Sequence, residues 1–445
     1  MNDNSYALEL KELLVNCIEQ LVFEKRRFLK NPERDFSRNR KITFEDFINI
    51  CLQMEGGALQ NELLKYFNFS EALPTKSAFC QQRGKVSPEA LEYLFCMFTE
   101  KLRLSDGLNT FMGYRIIAGD GSDVNTPYNP KDQETFHQST DKKGYNQLHL
   151  NALYDVLNDL YIDCILEPEK KSHERHAFNT MLDRFTSDIR AIIVADRGYE
   201  SYNVFAHLLC SNQKFIVRLK DDRSNGILST YNFDYDEKGE FDAGIETILT
   251  CKQSKFIKEN RDTYTFVPRS HFDFFKDDDP FFLLKLRIVC IEVKPGVFEY
   301  LACNLNSKGF PPAVIREIYH LRWNEENSFR DLKYTIDLVH FHSKKREYVE
   351  QEAWAKLIVY NFCAAITQHV AAAQNERTAS KEKKHDYKIN FATAVRICKE
   401  FLKHNDGEIH VCQLIGKFLI PIRPNRTAQR KVKPQSAKYF IYRAA

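Results

Sequence analysis

Between Ile318 and Lys333 the chain reads IYHLRWNEENSFRDLK, and its apolar and polar residues separate with the period of an α-helix. At about 100° per residue, Ile318, Leu321, Phe329 and Leu332 fall in one sector, and Tyr319, Arg322, Glu326 and Lys333 fall in the sector beside it. A helix of this kind must bury the first stripe, and it then carries an aromatic ring, a guanidinium, a carboxylate and an ammonium along the edge of that contact. Taken alone, this is an ordinary amphipathic helix with solvated charges. Two aspartates far upstream change the reading. Asp120 follows the apolar run Arg115–Gly119 and Asp196 follows Ala191–Ala195, and both runs read as buried strands. Each aspartate singly is a turn former placed where a strand ends, Asp120-Gly121 being a tight-turn dipeptide. Two carboxylates at strand ends and one on a helix can also converge on a metal ion, the pattern of a metal-dependent phosphoryl-transfer site.

The 445 residues are 43% hydrophobic, enough for a sizeable core and for about three structural units. The longest apolar runs, such as Phe281–Leu284, are broken by Lys285 and Arg287, far short of a membrane span. MNDNSYALELKE shows no secretory signal, so the expected location is the cytoplasm. Twelve cysteines are scattered singly, without a C-x-x-C pair, and read as small buried hydrophobes. The close pair His173 and His176 lacks a matching Cys or His pair, so a surface or structural role is expected over metal binding. The net charge of +3 hides an asymmetry: from Pro421 to Ala445 there are seven Lys and Arg and no acid. Arg423, Arg426, Arg430, Lys431 and Lys433 lie in this tail, which is either a phosphate-binding strip or a solvated extension.

In chain order, residues 1–110 read as a helical domain expected to bind DNA, with helices over Leu8–Phe23, Phe44–Met54 and Leu59–Phe67. Two more start at Thr75 and at Ser87-Pro88-Glu89, each with a Ser or Thr cap. Lys76, Arg83 and Lys85 are candidates for backbone phosphates, and core-building helices are an equally good account. Residues 111–220 alternate strands and helices as a mixed sheet with helices packed on it. Residues 221–310 read as a β-type insertion, with Asp234–Asp242 as a loop, strands at Thr247–Cys251, Thr263–Val267, Phe282–Val293 and Val297–Cys303, and a hairpin at Lys294-Pro295-Gly296. Residues 311–375 return to the core, carrying the 318–333 helix and a longer one over Tyr348–His369. Residues 376–445 are a polar linker, one helix near Ala392–Leu402 and the basic tail.

Tyr319-x2-Arg322-x3-Glu326-x6-Lys333 resembles the Y-R-E-K signature of DDE transposases of the insertion-sequence-four type, and Asp120-Gly121-Ser122 and Asp196-Arg197-Gly198-Tyr199 are similar to the contexts of that family's two acidic residues. The resemblance implies an α+β fold: an RNase H-like core, related to retroviral integrase, interrupted by a β-rich insertion. It implies that Asp120, Asp196 and Glu326 are catalytic and bind two Mg²⁺ ions, with Mn²⁺ as a substitute. Tyr319, Arg322, Lys333 and Arg197 would hold DNA, the partners being duplex terminal repeats, target DNA and a second copy in the synaptic complex, on a prokaryotic nucleoid and with no membrane. Members of the family can stack a displaced base on an aromatic of the insertion, here Phe298 or Tyr300, since Trp323 and Trp354 lie outside it. Two alternatives stay open: a catalytically silent DNA-binding descendant, and a nuclease of this fold without strand transfer.

Overall fold

The structure, a computed structural model, describes residues 4–422 apart from 39, 105–106, 139–142, 186–189, 222, 232, 379–386 and 404–408. Helices come first: α1 (Ser5–Phe23), α2 (Phe44–Gln53), α3 (Leu59–Tyr66), α4 (Lys76–Arg83) and α5 (Glu89–Arg103). Thr43 and Asp46 form a reciprocal cap on α2, and the Thr75 hydroxyl accepts from Ala78 N at 3.1 Å to start α4. At α5 the expected Ser87 cap does not form, because Pro88 takes the cap position and no side chain bonds the first turn.

The sheet follows: β1 (Arg115–Thr126), β2 (Phe136–His137), β3 (Tyr145–Asp155), β4 (Leu160–Pro168), α6 (Glu174–Arg184), β5 (Ala191–Ala195), α7 (Tyr202–Cys210) and β6 (Lys214–Leu219). β4, β3 and β1 pair antiparallel, while β1, β5 and β6 pair parallel. Antiparallel neighbours need only short turns, and the parallel pairs are joined through the crossover helices α6 and α7. This strand order is an RNase H-like core in a mixed α+β fold. Its central strand β5, AIIVA, is buried along its whole length, as a sheet covered on both faces requires.

β7 (Phe241–Thr250), α8 (Lys255–Glu259), β8 (Tyr264–Phe266), β9 (Phe281–Lys294) and β10 (Val297–Cys303) continue the same sheet, with β10 antiparallel to β6 and then β9, β7 and β8 in order. Asp242, expected in a loop, lies in β7. Its carboxylate accepts from Arg287 Nε and Nη2 at 2.7 and 2.6 Å across the ladder, so a charge that would disfavour a strand is paired there.

α9 (Pro312–Leu321), α10 (Trp323–Tyr334) and α11 (Arg346–Thr378) come next, followed by β11 (Tyr387–Ile389), α12 (Phe391–Lys403), α13 (Val411–Ile415) and β12 (Leu419–Pro421), with β11 and β12 forming a small separate sheet. α11 runs beyond the expected end at His369, because Val370-Ala371-Ala372-Ala373-Gln374 contains no helix breaker. The N-terminal helices pack on α11, with Phe95 of α5 against Trp354 at 5.4 Å between ring centroids. Arg83 therefore does not face solvent: it is buried, with Nε donating to Gln351 and Nη1 to Glu352, both at 2.8 Å. Its place among the candidate phosphate ligands is withdrawn for that reason. Among the described residues, no helix is long and apolar enough to cross a membrane.

Candidate active site

β1 does not turn at Asp120-Gly121. It runs on to Thr126, with Asp120 opposite Ala152 and Gly121 opposite Asn151 of β3. What ends at this level is β5, whose Ala195 lies opposite Gly119. Asp120 and Asp196 thus leave neighbouring parallel strands in register, at one end of the sheet. Asp120 Oδ1 accepts from Gly121 N at 2.8 Å, and Asp196 Oδ1 accepts from Gly198 N at 2.7 Å, fixing one oxygen of each. The backbone beneath is tightly covered. A Cβ on Gly119 would lie 2.2 Å from the Phe178 ring of α6, so only glycine lets that helix seat here.

The expected single helix over Ile318–Lys333 is two, α9 and α10, joined at Arg322. There, Arg322 N bonds Tyr319 O at 3.1 Å and Glu325 N bonds Arg322 O at 3.0 Å, three-residue bonds that tighten the turn and reset the helical phase. The guanidinium enters the cluster, with Nη1 3.3 Å from Asp120 Oδ2 and Nη2 3.7 Å from Glu326 Oε1. It lies 5.1 Å from the Trp323 ring centroid and 5.8 Å from that of Tyr319. Lys333 Nζ donates to Ser122 Oγ at 2.6 Å, two residues along β1 from Asp120. Arg197 is exposed beside Asp196.

Tyr319, expected to face DNA, is 1% exposed, because the buried face of α9 is wide enough to take it in beside Ile315 and Ile318. It can act on DNA only through Arg322. Arg423, Arg426, Arg430, Lys431 and Lys433 lie outside the described residues. Tyr300, an expected stacking ring, is buried against Phe241, whereas Phe298 is half-buried. Trp354 is buried, and Trp323 is exposed beside Arg322.

One carboxylate escaped the sequence reading. Glu325 is fully buried, and neither of its oxygens has a hydrogen-bond partner among the described residues. Burial, then the nearby charge of Asp120, raise its pKa well above the usual carboxylate range. Asp120 itself is pushed up to about 6, by burial first and then by Asp196 and Glu326, against the opposing pull of Gly121 N–H and Arg322. Carboxylates crowded in this way suit a hard divalent cation, whose charge would relieve the repulsion. Among the described residues, no three His, Cys, Asp or Glu side chains are close enough to enclose such an ion as they lie, and the guanidinium of Arg322 sits between Asp120 and Glu326.

Residues 112–362, more than half of the chain, match the family model described as Transposase DDE domain. Among curated proteins, the chain is similar to Transposase InsG for insertion sequence element IS4 of Escherichia coli (strain K12), at 32% identity over 77 residues. That stretch is 17% of this chain and 17% of the relative. Among solved structures, it is similar to a cryo-EM structure of the piggyBac transposase synaptic complex with hairpin DNA, with a TM-score of 0.44 and 10% identity over 98% of this chain and 89% of that one.

Proposed function

The chain belongs to the DDE transposase family, and from that premise we propose that it cuts and joins DNA strands at the ends of its own insertion sequence, by cut-and-paste transposition. The observation that carries this reading is that Asp120 and Asp196 directly follow the paired residues Gly119 and Ala195 of the parallel strands β1 and β5, with Glu326 reaching the same cluster from α10. These three would hold divalent cations, Mg²⁺ in the first place. Two such ions, when bound, activate the attacking oxygen and stabilise the leaving one. Arg322 compensates the carboxylates and would offer its fork to a DNA phosphate. Trp323 and Tyr319 fix its plane, so that Tyr319 acts as a positioning residue. Lys333 and Arg197 add point charges on either side and position the backbone without reading sequence.

Water attacks the phosphorus at the element's end and breaks its bond to the 3′-oxygen, and the freed 3′-hydroxyl then attacks a phosphorus of target DNA by the same in-line displacement, releasing the target's own 3′-hydroxyl. Pairing two ends calls for a homodimer. The basic segment beyond residue 422 adds affinity for duplex phosphates, and the helical segment up to residue 110 adds contacts to the terminal repeat. Such a protein works in a prokaryotic cytoplasm, on the nucleoid. The test is a labelled duplex of the DNA flanking its coding sequence, incubated with Mg²⁺ and a supercoiled plasmid. Label joined to the plasmid is the expected outcome. Cleaved ends that never join would move the reading to a nuclease of the same fold, and binding without cutting to a silent descendant.

A further inference from the structure

Successive residues of a strand point to opposite faces of its sheet. Along β1, Asp120 and Ser122 meet Arg322 and Lys333, so Gly119 and Gly121 face the other way, onto α6. Three residues at the start of that helix, Glu174, Arg175 and Phe178, reach the backbone beside the two aspartates. Glu174 pairs with His149 Nε2 at 3.2 Å, and the imidazole is held on its other nitrogen by Asp123 at 2.8 Å. The ring lies under Gly121, where a Cβ would stand 2.4 Å from His149 Nε2 and 3.1 Å from Glu174 Oε1. Gly121 in turn gives its N–H to Asp120 Oδ1 at 2.8 Å.

The same helix reaches Asp196. Arg175 Nε donates to Gly198 O at 2.7 Å, and Gly198 N donates to Asp196 Oδ1 at 2.7 Å. Arg175 is exposed, so burial does not force this bond. Phe178, one turn further on, sits under Gly119 and against the Tyr199 ring, with 4.6 Å between the ring centroids. One helical surface thus backs both strands where they release their aspartates, and a shift of α6 moves the two carboxylates relative to each other.

We propose that Glu174 and Arg175 are positioning residues, which set the separation of Asp120 and Asp196 and through it the affinity of the site for divalent cations. This assignment rests on the transposase reading of the triad, and it gives neither residue a contact with DNA or with an ion. Side chains placed one step behind metal ligands typically change metal affinity by about 10- to 100-fold. Arg175 should have the larger effect of the two, because two hydrogen bonds through Gly198 join it to a carboxylate oxygen, whereas Glu174 acts through its ion pair with His149.

The test is titration of the full chain with Mn²⁺, with and without the flanking-end duplex, following the loss of the free ion's electron paramagnetic resonance signal, a readout that needs no turnover. Arg175→Ala should raise the dissociation constant by about tenfold or more. Arg175→Lys, whose ammonium can still donate to Gly198 O, should restore most of the affinity, and Glu174→Ala should weaken it less than Arg175→Ala does. In EDTA, Arg175→Ala should bind the duplex as the unaltered chain does, with the same salt dependence. Unchanged Mn²⁺ affinity in Arg175→Ala, or a salt slope that falls by about 0.9, the signature of one lost phosphate contact, overturns the positioning role while the transposase reading stands. An unaltered chain that takes up no Mn²⁺, with or without the duplex, overturns both.

Discussion

Two groups of charges, one where α4 meets α11 and one at the end of the sheet, are built by different rules. Where α4 meets α11, Arg83, Glu352, Gln351 and His342 satisfy one another. Glu352 accepts from Arg83 Nη1 at 2.8 Å and from His342 N at 3.1 Å, with His342 Nδ1 3.0 Å away. Burial alone would raise the Glu352 carboxyl, and Arg83 and then His342 more than reverse this, holding it at about 2. At the end of the sheet, one guanidinium serves Asp120 and Glu326, Glu325 has only the nearby charge of Arg322 and the backbone of Asp120 to offset its burial, and Asp120 is pushed up to about 6. The first group is complete and fastens helices together. The second gathers more carboxylates than the guanidinium between them pairs, the arrangement that the proposed metal site would need.

The sharpest way to break this contrast is Arg83→Met, which leaves Glu352 buried without its main partner. Urea unfolding should show a loss of ~3–5 kcal/mol, and a loss below 1 kcal/mol would mean that the network does not fasten the helices. Asp120→Asn should act in the opposite sense. A carboxyl whose folded pKa is raised favours folding below its unfolded value, near 4, and loses that contribution as pH rises through about 6. Urea midpoints from pH 4 to 7 should therefore show the intact protein losing about 2 kcal/mol relative to Asp120→Asn. Glu352, held down, contributes above its unfolded value and loses that contribution as pH falls through about 2, so its effect lies in a lower window.

Millimolar Mg²⁺ comes next. At ten times its dissociation constant it should raise stability by ~1.4 kcal/mol, as read by thermal melting, and Asp196→Asn should abolish the rise. An unchanged rise would place the ion elsewhere. The smallest effect is at Glu325, where Glu325→Leu should stabilise by about 1 kcal/mol by removing an unpaired buried carboxyl. Destabilisation would mean that Glu325 has a partner it needs.

The core strands were legible because both faces are covered, so apolar runs such as FIVRL mark them directly. The extent of β1 was not, since half of its ladder comes from β3 and sequence shows only the Asp-Gly pair. The split at Arg322 escaped for a related reason: uniform helical arithmetic cannot see a guanidinium drawn onto Asp120. Arg83 looked like a surface cation because its partner, Glu352, is 269 residues away. Glu325, however, was legible. Its spacing of four and seven residues from Phe329 and Leu332 places it in their stripe of α10, where a carboxylate is out of place.

Two adjacent glutamates offer the most direct test of the account. Cleavage of the flanking-end duplex in Mg²⁺ should be measured for the intact chain, Glu326→Gln and Glu325→Gln, with DNA binding followed in parallel. Loss of cutting by at least a hundredfold in Glu326→Gln alone, with binding kept, is the result expected if Glu326 completes the site with Asp120 and Asp196. Full cutting by Glu326→Gln together with loss in Glu325→Gln would contradict it and transfer the role to the buried neighbour.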